Sequence, residues 1–439
     1  MRAVRIGLTA VLALVLLAGL ALAAIILAAR RPVIGPVGLE SQPAFEPQAV
    51  QRGASLAALG TCITCHTRPG GPAYAGGRPI ATPFGVVYAT NITPDPQTGI
   101  GLWPYAAFSR ALREGVGRSG EHLYPAFPYP HFARLTAEDT QALYAFLMTR
   151  TAVSAHAPPN RLAFPLGWRP LLALWKLLFL HPPALPPPHG HSAGWARGAY
   201  LVLGLGHCGD CHSPRGAFGQ EHAAPALGGG HAEGWDGPAL NARAPAPVPW
   251  SAAELARYLR TGFEPLHGAA AGPMAEVCLA LGAADPAEID AMAEYLASIG
   301  PAPGQRREGT AAAGGAAQPP RAQPGARAPE HQLEAQVFSG ACAGCHNSTA
   351  PEGAARAMDL ALSPLLGMPD ALDAARIIAG GIQPPPGRAG PQMPPFAGAL
   401  TAPQLAALLD YLRAQFSDHA PWSDLLSRAR QAAGDPEER

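Results

Sequence analysis

Three stretches of the chain decide its fold: Cys62-Ile-Thr-Cys65-His66, Cys208-Gly-Asp-Cys211-His212 and Cys342-Ala-Gly-Cys345-His346. Each has the form C-x-x-C-H, which is the attachment motif of c-type haem. Two thiols three residues apart on a helical turn project from one face, where they can form thioethers with the two vinyl groups of one porphyrin. The adjacent imidazole then supplies the proximal iron ligand. The sequence therefore predicts three covalently bound haem c groups.

Other interpretations of these cysteines fit less well. A zinc ribbon pairs C-x-x-C units with each other, whereas here the units lie far apart and each carries its own histidine. A thioredoxin-like site needs a βαβ context, and a disulfide framework would leave the three histidines unexplained. The seventh cysteine, Cys278, lies in an apolar helix-like stretch, and we interpret it as a buried, inert thiol.

Length and composition limit the classes of protein to which the chain can belong. The 439 residues suggest about three domains. A formal net charge of zero with 14% charged residues argues against a nucleic-acid binder, which would show a basic excess. The 50 glycines and 50 prolines suit small, loop-rich domains.

The N-terminus indicates the compartment. Ile6 to Ala29 is a run of 24 residues without a charge, and two arginines flank it on each side. A signal-peptide apolar region spans about 7–15 residues and a membrane span about 20. We therefore predict that residues 1–31 form a retained transmembrane helix, with a cleaved signal as the alternative. Haem c is attached on the outer face of the bacterial inner membrane, so the remainder is expected in the periplasm.

The chain repeats one pattern three times: a short helix, the C-x-x-C-H motif, a long loop and a closing helix with a tyrosine. This order is typical of class I cytochromes c, so the predicted fold is mainly α, with three such domains in tandem. The closing helices are expected at 136–148, 285–299 and 401–416. The predicted haem domains are residues 40–151, 192–300 and 331–418. Between and after them we expect an apolar, proline-rich connector at 152–191, a flexible linker at 301–330 and a C-terminal tail at 419–439.

Candidate distal iron ligands follow from their position ahead of the closing helices. Met274 and Met393 lie in proline-containing stretches that we expect to be loops crossing the haem. The first domain carries Phe127 at the corresponding place, and phenylalanine cannot bind iron. His131, four residues further on, is the predicted distal ligand of haem 1, with His122, Met148 or a five-coordinate iron as alternatives.

A family resemblance rests on long stretches of the first two domains. The chain resembles the triheme cytochrome c subunits of membrane-bound bacterial dehydrogenases in Thr82–Asp95, Thr98–Trp103, His122–Tyr129 and Ala271–Val277. That family includes the cytochrome subunits of alcohol, gluconate, sorbitol and fructose dehydrogenases and the partners of molybdenum hydroxylases. The alcohol dehydrogenase-like members have methionine where this chain has Phe127. The chain looks more like the molybdenum-enzyme group.

The resemblance implies a membrane-anchored electron-transfer subunit rather than an enzyme. It would take electrons from a periplasmic dehydrogenase, with molybdenum and iron–sulfur or flavin subunits, and pass them to quinone or an oxidase. A flavin- or PQQ-dependent alcohol or sugar dehydrogenase is the alternative partner, and a multihaem peroxidase is a further alternative function. No catalytic acid, base or nucleophile is needed, because the haems carry the redox chemistry.

Overall fold

The structure is a computed structural model. It describes residues 2–38, 44–181, 184–222, 224–301, 331–346, 359–384 and 390–434. Nearly all of the predicted linker at 301–330 lies outside the described residues. The chain forms two compact units: unit 1 holds Met1–Pro186, Leu203–His207 and Gly216–Gln220, and unit 2 holds the remainder.

Unit 1 is helical, with one small sheet. Its helices are α1 (Arg2–Ala28), α2 (Pro47–Leu59), α3 (Cys62–Cys65), α4 (Tyr105–Glu114), α5 (Tyr129–Phe132), α6 (Ala137–Met148) and α7 (Leu171–Phe179). Its antiparallel strands are β1 (Pro79–Thr82), β2 (Gly85–Tyr88) and β3 (Arg161–Leu162), in the order β1-β2-β3. Thr82 pairs with Gly85 across the β1–β2 turn, and Gly85 pairs with Leu162 of β3.

Unit 2 contains the remaining helices and two hairpins. The helices are α8 (Ala193–Tyr200), α9 (Gly209–His212), α10 (Ala252–Thr261), α11 (Pro273–Leu281), α12 (Pro286–Ile299), α13 (Gln332–Ala341), α14 (Ala343–His346), α15 (Leu372–Gly380), α16 (Ala402–Phe416) and α17 (Leu425–Ala433). The hairpins are β4 (Gly230–Ala232) with β5 (Trp235–Gly237), and β6 (Phe263–Glu264) with β7 (Gly268–Ala269). The mainly helical fold is confirmed, although these strands were not predicted from the sequence. The three tandem cytochrome c domains stay a prediction, and we use the word repeat for the three sequence units that define them.

The three predicted closing helices are α6, α12 and α16, and each begins at a capping residue. Thr136 accepts the Asp139 backbone N–H, Asp285 accepts that of Ala287, and Thr401 forms a capping box with Gln404. A capping side chain satisfies a backbone donor that has no partner within the helix. Local sequence therefore fixes where each closing helix starts.

Two helix crossings in the fold depend on a glycine. Gly53 of α2 packs against α6 so closely that an added Cβ would lie 1.9 Å from the Ala142 carbonyl oxygen. Gly198 of α8 packs against α12 in the same way, with its Cβ position 1.9 Å from the Ala291 carbonyl oxygen. Only a residue without a side chain permits this backbone approach.

An arginine beside each of these glycines joins the same two helices. Arg52 donates through Nε to Asp139 Oδ1 at 3.0 Å, and the Asp139 side chain is fully buried. Arg197 donates through Nε and Nη2 to the Glu288 carboxylate at 2.7 and 2.8 Å. The repeated Arg-Gly pair therefore sets both the spacing and the register of the two crossings.

The tyrosine of each closing helix is buried against an aromatic ring from the N-terminal side of its repeat. Ring centroids lie 5.8 Å apart for Phe45 and Tyr144, 5.3 Å for Trp195 and Tyr295, and 5.9 Å for Phe338 and Tyr411. Edge-on and tilted rings at these distances are favourable aromatic contacts. The three tyrosines thus occupy matching places in the core.

Residues 419–434 of the predicted C-terminal tail contribute to the last core. Trp422 is buried, its indole N–H donates to the Met368 carbonyl oxygen at 2.8 Å, and the Arg413 guanidinium lies 4.3 Å from its ring centroid. Helix α17 then packs against α15 and α16. The described part of the tail therefore packs on the helices of the third repeat.

The described residues of the predicted connector up to Pro186 belong to unit 1, whereas residues 187–191 belong to unit 2. Strand β3 extends the β1–β2 sheet, and Lys176 of α7, the chain's one lysine, is buried. Its Nζ donates to the carbonyl oxygens of Glu114 and Gly115 at the end of α4, and lies 3.1 Å from His122 Nδ1. The connector is held to the first repeat by these bonds.

The predicted transmembrane helix is not confirmed. A helix, α1, does form over Arg2–Ala28, and its leucines from Leu12 to Leu27 are largely exposed. Among the described residues, however, no helix has the length and apolar character needed to cross a membrane. Residues 2–11 and 18 of α1 are described by their backbone only.

Candidate haem sites

Each C-x-x-C-H motif forms a single helical turn closed by the same hydrogen bond. The histidine N–H donates to the carbonyl oxygen of the first cysteine at 3.0 Å for His66, 3.0 Å for His212 and 2.9 Å for His346. All seven cysteines lie within the described residues, and no two of them form a disulfide. The shared turn places two thiols and an imidazole together in each motif, which is the arrangement that haem attachment requires.

The proximal histidines of the first two motifs are oriented by a backbone carbonyl. His66 Nδ1 lies 2.6 Å from the Thr90 oxygen, and His212 Nδ1 lies 2.7 Å from the Pro238 oxygen. A carbonyl only accepts, so Nδ1 carries the proton and Nε2 keeps its lone pair for a metal. Such a hydrogen bond commonly fixes a metal-ligating imidazole. These residues fit an iron-bound haem.

Burial also favours the ligand form of both imidazoles. It lowers the pKa of His66 and of His212 below the ordinary histidine value, although the bonds to Thr90 and Pro238 oppose that shift. Both rings are thus neutral over a wider pH range than a free histidine. Residues 347–358, which follow His346, lie outside the described residues.

The thiols are unlike those of a redox C-x-x-C site. Burial raises the pKa of Cys62 and of Cys208 to about 12, and it also raises that of Cys342. Redox-active thiols have a lowered pKa instead. Cys278 in α11 is buried as predicted, and burial raises its pKa to about 12 as well.

The polar loop after β2 holds the carbonyl that orients His66. Asn91 Nδ2 donates to Thr98 Oγ1 at 2.9 Å and to the Val153 oxygen at 2.7 Å. Asp95 Oδ1 accepts from the Thr98 N–H and hydroxyl, and these bonds lower its pKa. Sequence reasoning gave the residues of this stretch no role. Its density of Asn, Thr and Asp was the available signal, since these side chains stabilise turns.

Phe127 and Met274 occupy equivalent places in the first two repeats. After α4, the Leu123 N–H donates at 2.8 Å to the carbonyl oxygen of the glycine that ends this helix. After α10, the Ala270 N–H likewise donates at 2.7 Å to the carbonyl oxygen of the glycine that ends α10. Phe127 and Met274 each lie four residues beyond these donors. The structure therefore supports the comparison of the two positions.

Met274 lies in a helix rather than in the predicted loop. It is half-buried in the first turn of α11, which begins at Pro273. Gly272 precedes it with φ of 53°, and a Cβ there would lie 2.5 Å from Trp235 Cε2. Proline at the first helical position is a usual helix start, and it explains why this stretch is helical.

Met393 lies in an extended stretch between α15 and α16. It exchanges backbone hydrogen bonds of 2.8 and 2.9 Å with Ile382, and its half-buried side chain packs on the same apolar cluster as Cys342. The structure thus brings Met393 and the third motif to one core. Its ligation of iron stays a prediction.

His131 is buried in α5 and has a structural contact. Its Nδ1 lies 2.9 Å from the carbonyl oxygen of Leu203, which also accepts from Arg134 at 2.9 Å. Phe127 packs nearby, with its ring centroid 5.5 Å from that of Phe132. The contact leaves the proton on Nδ1, as in His66 and His212. Its role as the distal ligand of haem 1 stays a prediction.

Comparison with known proteins decides the family. Residues 334–415 match the cytochrome c family. The chain is 34% identical to the cytochrome c subunit of the quinone alcohol dehydrogenase of Gluconacetobacter polyoxogenes, over 90% of this chain and 86% of that protein. The chain belongs to the family of dehydrogenase cytochrome c subunits. Its cytochrome c domain implies covalent haem c.

Two further dehydrogenase subunits support this family. The cytochrome c subunit of gluconate 2-dehydrogenase from Pantoea cypripedii is 35% identical over 84% of this chain and 86% of its own length. A nicotinate dehydrogenase subunit of Pseudomonas putida is 42% identical over 92% of this chain, which spans about a third (34%) of that relative. The cytochrome subunits of this family transfer electrons and are not the catalytic subunits, so the expected non-enzymatic role is confirmed.

Proposed function

We propose that the chain carries three haem c groups and relays electrons from a dehydrogenase to quinone or to the terminal respiratory chain. The observation that carries this proposal is the common geometry of the three motifs, each closed by the same His-to-Cys hydrogen bond. When bound, each haem supplies a reversible one-electron Fe(III)/Fe(II) couple. The side chains of the protein determine the position of each haem and its midpoint potential.

The proposed distal ligands set the order of the potentials. Met274 and Met393 would offer soft thioethers, which favour Fe(II) and raise a potential. His131 would offer an imidazole, which donates more strongly and favours Fe(III). Haem 1 would then have the lowest potential of the three. A multihaem peroxidase, the weaker alternative, would need an open iron site, which only haem 1 could offer and only without His131 as its ligand.

For the partner we propose a dehydrogenase of the molybdenum hydroxylase type. The support is the 42% identity to the nicotinate dehydrogenase subunit of Pseudomonas putida over 92% of this chain. A flavin- or PQQ-dependent dehydrogenase is the second candidate, favoured by relatives that are alcohol and gluconate dehydrogenase subunits. We place the chain at the bacterial inner membrane with the haem domains in the periplasm, a proposal supported by the exposed apolar side chains of α1.

Purification of the native protein from bacterial membranes tests the partner. A co-purifying subunit with stoichiometric molybdenum, measured by inductively coupled plasma mass spectrometry, would support the proposed type. A co-purifying flavoprotein or PQQ enzyme would support the second candidate. A chain that purifies alone and reduces hydrogen peroxide would contradict the relay and favour a peroxidase.

Potentiometry of single variants tests the ligands. Met274→Ala and Met393→Ala should each lower the midpoint potential of one haem and leave the other two unchanged. The matched control is Met292→Ala, because Met292 is buried within the closing helix α12. Unchanged potentials in both ligand variants would reject the assignment.

A further inference from the structure

Helix α15 of the third repeat contacts the β4–β5 hairpin of the second repeat, and both elements belong to unit 2. Arg376 donates to the Gly234 carbonyl oxygen in the turn of that hairpin. Its guanidinium lies 5.3 Å from the ring centroid of Trp235. One arginine therefore binds both the backbone and the aromatic side chain of the hairpin.

A second residue of α15 reinforces this contact. Asp373 is 5% exposed, and its Oδ2 accepts the Asp236 N–H at 2.9 Å. Its Oδ1 lies 3.9 Å from Arg376 Nη1. Within the hairpin, His231 Nδ1 and Asp236 Oδ1 are 2.8 Å apart. A buried carboxylate that accepts a backbone N–H is a strong, directional contact.

The hairpin held in this way contacts the proximal side of the second haem site. A Cβ added to Gly237 would lie 2.2 Å from the Cys211 carbonyl oxygen and 3.4 Å from His212 Nδ1. The next residue, Pro238, provides the carbonyl that accepts from His212 Nδ1. Displacement of the hairpin would therefore disturb the hydrogen bond that orients His212.

The same hairpin also contacts the segment that carries Met274. Trp235 packs against Gly272 so closely that any side chain there would overlap the indole. Gly272 is two residues before Met274. Trp235 thus lies between the Arg376 guanidinium and the backbone that leads into α11.

From these contacts we propose that Arg376 and Asp373, which belong to the third repeat, are positioning residues for haem 2. They hold the hairpin that orients His212 through Pro238 and that fixes the start of α11 through Trp235. The potential of haem 2 therefore depends on contacts made by the repeat that carries haem 3. This inference rests on the proposed function, since it takes Met274 as a ligand of haem 2.

The test compares variants of the full chain after haem attachment. Met274→Ala first identifies which of the three midpoint potentials belongs to haem 2. Arg376→Leu should lower the midpoint potential of haem 2. A looser hairpin would let water reach the site and would weaken the bond between the Met274 sulfur and the iron. Arg376→Lys keeps the charge beside Trp235 and a donor for Gly234. The midpoint potential of haem 2 in this variant should therefore lie close to the wild-type value.

Arg428→Leu is the matched control. Arg428 forms an ion pair with Asp370 at 2.6 Å, just before α15, and that pair does not involve the hairpin. The control should leave the potential of haem 2 unchanged. Electron paramagnetic resonance of the ferric protein gives a second readout, in which Arg376→Leu should shift one low-spin signal.

The outcomes separate the two proposals. If Met274→Ala moves no potential, the proposed ligand is wrong. If Met274→Ala moves one potential and Arg376→Leu leaves it unchanged, or moves only another, the positioning role is wrong. If Arg376→Leu does not assemble with haem, Arg376→Gln replaces it, since it keeps a donor for Gly234 and removes the charge beside Trp235.

Discussion

Replacing Gly53 by alanine tests the crossing of α2 and α6 in the first repeat. The added methyl group would lie 1.9 Å from the Ala142 carbonyl oxygen and 2.7 Å from Phe146 Cβ. A Cβ atom essentially never lies within 3.0 Å of a heavy atom outside its own residue and the two chain neighbours, so the helices must separate by about 1 Å. Gly53→Ala therefore acts on the crossing itself.

The magnitude follows from two opposing effects. An extra methyl group forced into a packed contact costs about 1–3 kcal/mol. Alanine in a helix interior is favoured over glycine by about 0.5–1 kcal/mol. With the middle of each range, the net loss is about 1.3 kcal/mol, which corresponds to roughly a tenfold rise in the locally unfolded population.

Hydrogen exchange with mass spectrometry measures this opening on the haem-loaded chain. The amides of α2 and α6 should exchange about tenfold faster in Gly53→Ala. The control is Gly340→Ala, since Gly340 of α13 has no heavy atom within 4 Å of the added Cβ. It should leave exchange unchanged or slow it. Equal or slower exchange in Gly53→Ala would refute the glycine-dependent crossing.

Three further predictions concern the first repeat. Phe127→Met combined with His131→Ala should give haem 1 a higher midpoint potential than the wild type in a spectroelectrochemical titration, because a thioether would replace an imidazole and favours Fe(II); an unchanged potential would show that position 127 does not reach the iron. His131→Ala should convert one low-spin ferric signal to high spin in electron paramagnetic resonance, whereas an unchanged spectrum would exclude His131 as a ligand. Burial lowers the pKa of Lys176 from 10.5 to about 7. Between about pH 7 and pH 10.5 the unfolded chain therefore binds one more proton than the folded chain. The free energy of unfolding should rise with pH across this range. Lys176→Met should abolish that rise in denaturant titrations at about pH 7 and about pH 9, and an unaltered pH dependence in the variant would contradict the assignment.

Features that depend on local sequence were predicted correctly. The closing helices begin at Thr136, Asp285 and Thr401, because a capping side chain acts on the next turn of its own helix. The matching tyrosines are all buried, since their spacing from the caps places them on the apolar face. Met274 was predicted to lie in a loop, although Pro273 is itself a local signal for a helix start.

Features that depend on distant residues could not be read from the sequence. The pairing of Gly85 with Leu162 joins segments far apart in the chain, so no local periodicity indicates it. Burial of Lys176 depends on the carbonyl groups at the end of α4. The contact of Arg376 with Trp235 joins two repeats, and it likewise depends on the tertiary fold.

The covalent haem content of the intact chain tests the central claim most directly. Intact-mass spectrometry of the purified protein, followed by peptide mapping, should show three haem c groups, one on each C-x-x-C-H motif. Cys62→Ser with Cys65→Ser should reduce that number to two. A wild-type chain with haem only within residues 334–415, the part that matches the cytochrome c family, would contradict a three-haem relay.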